Sequence, residues 1–485
     1  MALAPGPLHP RGGHVFDASL LRAYDVRGIY GATLFEADAY ALGRSFGSVV
    51  RRGSPVETPK VVVGRDGRLS SPQLEQALVE GLCESGVAVI RIGLAPSPML
   101  YFAERSLEDV EGGIEVTGSH NPADHNGFKI VLGGRPFFGP DLAQLGGMAA
   151  RADWMEGEGA VEGCDVAPDY IAALRGGLGQ ADPDALSRLR VAWDVGNGAA
   201  GPLVERLCLQ LPGSHHVLHS CVDGRFPNHH PDPTLPENLT DLQALVAAKS
   251  LDFGVAFDGD ADRIGVVDGE GRIVWGDQLL ALLARDVLAQ NAGKGGGVRP
   301  SVVGDVKMSA TTFAQIEAAG GVPVMAPSGH SHIKSTMKET GAILGGEMSG
   351  HLFFADRYFG FDDGIYAAVR MMALVAQGGR SVADLLDSLP RTFATPELRF
   401  AVPPARRTAV VAEVGARLAQ EGHEPVTLDG LRLDGPDGWW LLRASNTQDM
   451  LTARAESTSE EGLARLVAQI DAQLALSGIV RPREA

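Results

Sequence analysis

The chain has 485 residues, 45% hydrophobic and 21% charged, and a formal net charge of −18. That length exceeds what one hydrophobic core supports, so several domains are expected, and the composition is that of a globular protein rather than a disordered one. The negative charge argues against a polyanion partner such as nucleic acid, whose phosphates demand clustered Lys and Arg. A small anionic substrate stays open, provided a local cationic pocket receives it. No window holds the roughly 20 apolar residues that cross a bilayer, so no membrane partner is expected. Residues 1–16 carry prolines, glycines, an arginine and histidines without an apolar run, so they read as a loose tail. The expected compartment is the cytoplasm. Cys83, Cys164, Cys208 and Cys221 lack Cys-x-x-Cys spacing and read as reduced thiols.

From residue 59 onward an apolar β-branched run, a turn rich in Gly, Ser or Asp, and a helical period alternate, which predicts α/β domains. The first unit reads as a strand over 60–63, a helix over 71–84, and strands over 87–92 and 113–116. A second begins with a strand over 188–193, runs into Asp194-Val-Gly-Asn-Gly198, and closes with a strand over 253–257. A third follows from residue 264, with helices over 277–289 and 310–318 and strands over 322–325 and 342–344. After about residue 392 the grammar changes: helices over 406–420 and 461–476 flank strands over 439–443 and 451–455. The expected fold is α/β, with three successive mixed-sheet α/β domains plus a C-terminal α+β domain around a central cleft. Boundaries are set at 1–164, 165–272, 273–391 and 392–485.

Four loops at predicted strand ends concentrate chemistry, and open α/β sheets bind ligands at those ends. Thr117-Gly-Ser-His-Asn-Pro122 is followed by Gly127-Phe-Lys-Ile130. Glycine frees the backbone at Ser119, while His120 and Lys129 are placed to move protons, so Ser119 is a candidate nucleophile. The same residue types also build ordinary turns. Asp258-Gly-Asp-Ala-Asp-Arg263 sets three carboxylates at alternate positions, a pattern suited to one hard cation such as Mg²⁺. An EF-hand fails, because its sixth position would be Arg263 instead of glycine and its twelfth Gly269 instead of glutamate. Gly345-Gly-Glu-Met-Ser-Gly-His351 offers Glu347 and Ser349 to sugar hydroxyls and His351 to a proton. Arg443-Ala-Ser-Asn-Thr447 joins a guanidinium to hydroxyls and an amide, the chemistry that holds a phosphate monoester.

In this order, one per expected domain, the four loops resemble those of the α-D-phosphohexomutase superfamily, and within it the bacterial phosphomannomutase/phosphoglucomutase branch. The resemblance runs from about Leu21 to the C-terminal helix. It includes Arg22-Ala-Tyr-Asp-Val-Arg-Gly28, Pro227-Asn-His-His-Pro-Asp-Pro233, Gly329-His-Ser331 and Phe359-Gly-Phe-Asp-Asp-Gly364. The resemblance implies hexose rather than hexosamine substrates, because phosphoglucosamine mutases usually carry a different residue where Met348 stands and a glycine in place of Asn446.

The resemblance implies a phosphoryl group carried on Ser119 and Mg²⁺ held by Ser119, Asp258, Asp260 and Asp262. It further implies a 1,6-bisphosphate of glucose or mannose as intermediate and activator. Arg27 and Arg263 would neutralise the transferring group, Lys129 would act as base, and His330 or His351 would be its proton partner. Tyr24, Lys307, Glu347, Ser349, Arg443, Ser445, Asn446 and Thr447 would bind substrate. The partners implied are small hexose phosphates, and a cleft complete within one chain points to a monomer. Asp449, Ala455 and Ala310 depart from the family's usual proline, aromatic residue and arginine. A metal-dependent phosphatase and a phosphoglucosamine mutase stand as alternatives.

Overall fold

The computed structural model describes residues 12–22, 24–294, 296–444 and 450–481. Two compact units divide them. One runs to Leu279 and includes Ser349–Asp384, and the other comprises Leu280–Met348 and the chain from Leu385.

In the first unit the strands Val26–Ile29, His125–Leu132, Val110–Val116, Lys60–Arg65, Ala88–Leu94 and Val161–Gly163 lie in that order in one sheet, and Arg135–Pro136 is added to His125–Leu132. Lys60–Arg65 is parallel to both of its neighbours, whereas Val110–Val116 and His125–Leu132 are antiparallel, so the sheet is mixed. Val61, Val63, Ile114 and Val116 are fully buried, as β-branched residues on a covered sheet should be. The helix Ser71–Glu84 coincides with its expected span, and Val110–Val116 begins three residues before its own. Of the three extra residues, Val110, Glu111 and Gly112, the last two carry little strand signal, so pairing with Lys60–Arg65 decides their conformation.

The second sheet places Phe253–Phe257 between Arg190–Asp194, to which it is parallel, and Ile264–Asp268, to which it is antiparallel. The residues between Phe253–Phe257 and Ile264–Asp268 are therefore a hairpin loop carrying all three aspartates. Trp193, Phe253 and Phe257 are buried beneath it. In the return segment, Asp363 caps the helix Gly364–Gly378 by accepting the Tyr366 amide at 2.8 Å. The hydroxyls of Tyr170 and Tyr358 donate to the same carboxylate and tie this helix to Ala167–Gly176.

In the second unit Ser301–Asp305 is parallel to Val322–Ala326 and to Leu344–Gly346, with helices Ala310–Ala318 and His330–Thr340 in the connections. From Phe393 the pairing is antiparallel. Met450–Ser457 joins Phe393–Ala394, Leu398–Ala401 and Gly438–Ala444, and Leu431–Gly435 continues the sheet. Helices Arg407–Gln420 and Glu460–Ala475 contribute Val410, Val414, Leu466 and Ile470 to its core. The α+β character expected for the C-terminal part is thus observed. Among the described residues no helix is long and apolar enough to cross a membrane.

Candidate functional site

Ser119 stands three residues beyond the end of Val110–Val116, and the neighbouring parallel strand Lys60–Arg65 ends beside it in Asp66. The Asp66 carboxylate accepts Thr117 Oγ1 at 2.9 Å, the Gly118 amide at 3.1 Å and Arg68 Nε at 3.1 Å. Arg68, itself buried, donates to the carbonyls of Ser119 at 2.7 Å, Asn121 at 2.6 Å and His125 at 3.0 Å, and also to that of Pro122. One guanidinium thus organises the whole turn, because its fixed fork of donors matches diverging carbonyls.

Ser119 itself takes a left-handed conformation, φ +49°, and is 1% exposed. A non-glycine residue held there stores strain, which collects at functional sites. The glycine before it has a different role from the one its sequence suggested. Gly118 lies outside the positive-φ region, but a Cβ on it would stand 2.4 Å from the Arg68 guanidinium, so the residue is needed for space. Replacing Arg68 with alanine should destabilise the fold by about 3–5 kcal/mol, because it leaves Asp66 buried without its cation. Urea denaturation checks this, and an unchanged midpoint would mean that the turn holds itself.

The aspartate loop meets this turn directly. Ser119 Oγ donates to Asp258 Oδ2 at 2.8 Å, and a Cβ on Gly259 would lie 2.5 Å from the Ser119 carbonyl oxygen. Asp258, Asp260 and Asp262 are buried and bring ligand oxygens within 4.8 Å of one another. Lys129, on His125–Leu132, donates to Asp260 Oδ2 at 2.6 Å and also to Asp262. Ser97 Oγ adds a second donor to Asp260 Oδ2 at 2.5 Å.

Burial and the two neighbouring carboxylates push Asp258 well above the usual carboxylate range. Burial pushes the same way at Asp262, but Lys129 and His351 overcome it and hold that carboxyl well below. For Lys129, burial opposes the charge and Asp260 and Asp262 outweigh it, raising the ammonium's pKa. Asp260 Oδ1 is buried with no hydrogen-bond partner among the described residues. An all-oxygen donor set, an orphaned carboxylate oxygen and an ammonium already drawn to two of the three groups fit a hard divalent cation.

Around this centre Arg263 Nε lies 3.3 Å from His351 Nε2, which is 3.3 Å from Asp262 Oδ1, and Ser349 Oγ lies 3.1 Å from His351 Nδ1. Arg27 bonds Asp25 at 2.7 Å and the Gly118 carbonyl at 3.3 Å, and half-buried Tyr24 is beside Asp25 in the chain. His120 Nδ1 is 3.2 Å from Ser119 Oγ. Burial first, then Arg263 and Arg27, push that imidazole well below its ordinary pKa, so it is neutral beside the serine. The first unit therefore gathers Ser119, Lys129, Arg27, Arg263, His351, Ser349 and the three aspartates. Asp66, Arg68 and Ser97 are supports that the sequence reading missed; only the place of Asp66 and Arg68 at a strand end could have marked them.

In the second unit Glu347 Oε1 accepts the Gly329 amide at 2.6 Å, directly before His330 opens its helix. Lys307 Nζ lies 3.7 Å from Asp305 Oδ2, which also accepts Ser328 Oγ at 2.7 Å. Arg443 Nη2 is 2.8 Å from Asp429 Oδ2, and the Ser328 amide bonds that same oxygen at 3.2 Å. Asp305, Ser328 and Asp429 were not singled out in the sequence. Ser445, Asn446 and Thr447 lie outside the described residues.

Four family models match in succession: phosphoglucomutase/phosphomannomutase α/β/α domain I over residues 18–152, domain II over 168–271, domain III over 275–393, and the C-terminal domain over 397–473. The chain is 45% identical over 451 residues to the phosphomannomutase/phosphoglucomutase of Pseudomonas aeruginosa, covering 93% of this chain and 94% of that one. It is 39% identical to the phosphoglucomutase of Neisseria gonorrhoeae, over 92% of this chain and 95% of that one. A crystal structure of a phosphoglucomutase/phosphomannomutase family protein from Burkholderia thailandensis superposes with a TM-score of 0.87 at 40% identity, covering 96% and 98% of the two chains. With four successive domain models and relatives matched along almost their full length, the chain belongs to the phosphoglucomutase/phosphomannomutase family of the α-D-phosphohexomutase superfamily.

Proposed function

We propose that the protein interconverts hexose 1-phosphates and hexose 6-phosphates by way of a phosphoserine at Ser119 and a hexose 1,6-bisphosphate. The observation that carries this is the buried Ser119 hydroxyl, set on a left-handed turn and hydrogen-bonded to Asp258 of an all-carboxylate triad. Asp258, Asp260 and Asp262, with the Ser119 phosphate, would hold Mg²⁺, which would supply charge neutralisation at the transferring phosphoryl group.

In the forward half-reaction the Oγ–P bond of Ser119 breaks as a P–O bond forms to the free sugar hydroxyl, and that hydroxyl's proton passes to Lys129. After the bisphosphate turns over, its other phosphoryl group returns to Ser119 and the proton goes back to the departing sugar oxygen. Lys129 accepts a proton only when neutral; Asp260 and Asp262 favour its ammonium, and a cation held by these carboxylates would weaken that preference. Arg263 and Arg27 offset charge on the phosphoryl oxygens, and His351, or His330, serves as the proton partner. Ser119 is 1% exposed, which keeps water from the ester and disfavours phosphatase activity.

Glu347 and Ser349 read sugar hydroxyls, while Lys307, Tyr24, Arg443, Ser445, Asn446 and Thr447 hold substrate. Glucose and mannose differ only at C2, so hydroxyl contacts elsewhere on the ring separate them weakly. Glucose 1-phosphate and mannose 1-phosphate should therefore show comparable kcat/KM with Mg²⁺ and a trace of the 1,6-bisphosphate, and glucosamine 1-phosphate should be far poorer. Steady-state assays check this. A strong preference for the amino sugar, or release of free phosphate, would overturn the assignment.

Arg443 is assigned to the phosphate that is not reacting. That phosphate is bound in both ground and transition states, so Arg443→Ala should act mainly on KM. A charge-assisted hydrogen bond of about 1.5–3 kcal/mol makes the rise on the order of ten- to a hundredfold. An unchanged KM with kcat cut by roughly a thousandfold would place Arg443 at the reacting phosphate instead. The cytoplasm and a monomeric state belong to the same proposal.

A further inference from the structure

A second cluster of ligand-type side chains lies at the carboxyl edge of the second sheet of the first unit. Asp194 ends the strand Arg190–Asp194, and His219 follows directly on its parallel neighbour Ser214–Leu218, whose Leu218 is in register with Asp194. His229 reaches the same place from a separate loop. One ligand atom from each of the three lies within 4.8 Å of the others. Asp194 is fully buried, and the side chains of His219 and His229 are only 16% and 13% exposed.

The hydrogen bonds around the two rings fix where their lone pairs face. His229 Nδ1 has the His230 carbonyl at 3.0 Å, a pure acceptor, so that nitrogen carries the hydrogen and donates it outward. Its Nε2 is then left 3.0 Å from Asp194 Oδ2. His219 Nε2 faces Asp241 Oδ2 at 3.1 Å, so it too donates outward, and its Nδ1 turns to the Asn228 amide nitrogen at 2.5 Å. Each ring thus gives one N–H to an outer carboxylate or carbonyl and keeps the other nitrogen as an acceptor, the arrangement that orients metal-bound imidazoles. A nitrogen lone pair and a carboxylate do not rest against each other without positive charge between them. Either a proton or a metal ion supplies it.

We propose that Asp194, His219 and His229 form a binding site for a borderline-soft divalent transition metal, Zn²⁺ being the reference ion, separate from the aspartate triad. Two imidazoles and one carboxylate form a zinc-type donor set, whereas Mg²⁺ takes oxygen, so ligand chemistry sorts the two ions between the two sites. Bonds of about 2.0–2.1 Å need the donors closer than they stand, and rotation of His219 away from Asn228 supplies that movement.

The site is placed to act on the turn behind the aspartate loop. Asp194 Oδ1 accepts the Gly196 amide at 3.0 Å, the Asn197 amide bonds the His219 carbonyl at 2.9 Å, and the Ala199 amide bonds the Gly259 carbonyl at 2.9 Å. Asn197 and His219 both hold left-handed backbones, φ +59° and +53°. A metal bridging Asp194 to the two histidines would lock this strained turn and, through Gly259, stiffen the loop that carries Asp258, Asp260 and Asp262.

The test is calorimetric titration of the full chain with Zn²⁺ near neutral pH in saturating Mg²⁺, paired with visible absorption after Co²⁺ addition. One equivalent of Zn²⁺ should bind despite the Mg²⁺, with a d–d band for Co²⁺. Affinity should fall at least about tenfold in His219→Ala and in His229→Ala. Should either variant fail to fold, the ring-nitrogen NMR shifts of the wild-type histidines on Zn²⁺ addition decide the matter, two rings being expected to move. Absence of Mg²⁺-resistant Zn²⁺ binding, equal binding by the folded variants, or unmoved ring nitrogens would each overturn the site and leave His229 as an imidazolium paired with Asp194.

Discussion

Ser119→Ala is expected to lower kcat for glucose 1-phosphate isomerisation by at least about ten-thousandfold while leaving the fold intact. The magnitude follows from the role assigned to the serine. With Oγ gone there is no atom to carry the phosphoryl group between the two half-reactions, and positioning and charge stabilisation alone do not replace a covalent carrier. Structural loss should be small, since the side chain removed is small and the turn is held by Arg68, Asp66 and Thr117. The Ser119 bond to Asp258 also disappears, but that carboxylate keeps the Arg263 backbone amide at 3.1 Å. Circular dichroism and thermal melting separate a folded, inactive variant from an unfolded one. A folded variant with more than about one-hundredth of wild-type turnover would remove Ser119 from the chemistry.

Chelation is expected to have an effect of similar kind and nearly similar size. Excess EDTA should reduce turnover by on the order of a thousandfold or more, and added Mg²⁺ should restore it, because three buried carboxylates face a transferring phosphoryl group that is itself anionic. Lys129 offsets part of that charge, yet among the described residues it donates to Asp260 and Asp262 and not to Asp258, the aspartate bonded to Ser119. Binding has a readout of its own. Mg²⁺ should raise the melting temperature of the wild type and raise it much less in Asp260→Asn. Unchanged rates in EDTA, with no Mg²⁺-dependent stabilisation, would make the loop a structural turn with Lys129 as its permanent counter-ion.

Much of this was legible in the sequence because the reacting groups are crowded into short segments. Asp258, Asp260 and Asp262 sit within five residues, and Ser119 within a six-residue motif, so spacing alone brings them together. The helices Ser71–Glu84 and Ala310–Ala318 were equally plain, since each runs from a serine-led start through an amphipathic stretch. What the sequence hid was support acting over distance. Arg68 reads as one more polar residue after a strand, yet it lies fully buried and holds four carbonyls more than fifty residues away.

Asp429 pairs with Arg443 across only fourteen positions, but it stands in a Leu-Asp-Gly segment that resembles any turn. The role of Gly118 was misread for a related reason. Composition marks a glycine as a point of dihedral freedom, whereas the need for space beside a guanidinium is visible only once Arg68 has been placed. His219 stood in no motif and His229 only in the segment from Pro227 to Pro233, whose ligand role nothing in the sequence marked, and the meeting of His219 with Asp194 depends on the register of two parallel strands.

The most direct test of the central claim follows a phosphoryl group onto and off Ser119. The protein is incubated with Mg²⁺ and glucose 1,6-bisphosphate bearing labelled phosphate, digested, and its peptides are mapped by mass and label. The label should appear on the peptide containing Thr117 to Pro122, at Ser119, and should leave it on addition of unlabelled glucose 6-phosphate, reappearing in hexose bisphosphate. Label on another residue, no label, or label at Ser119 that is released only as inorganic phosphate would contradict the mutase mechanism.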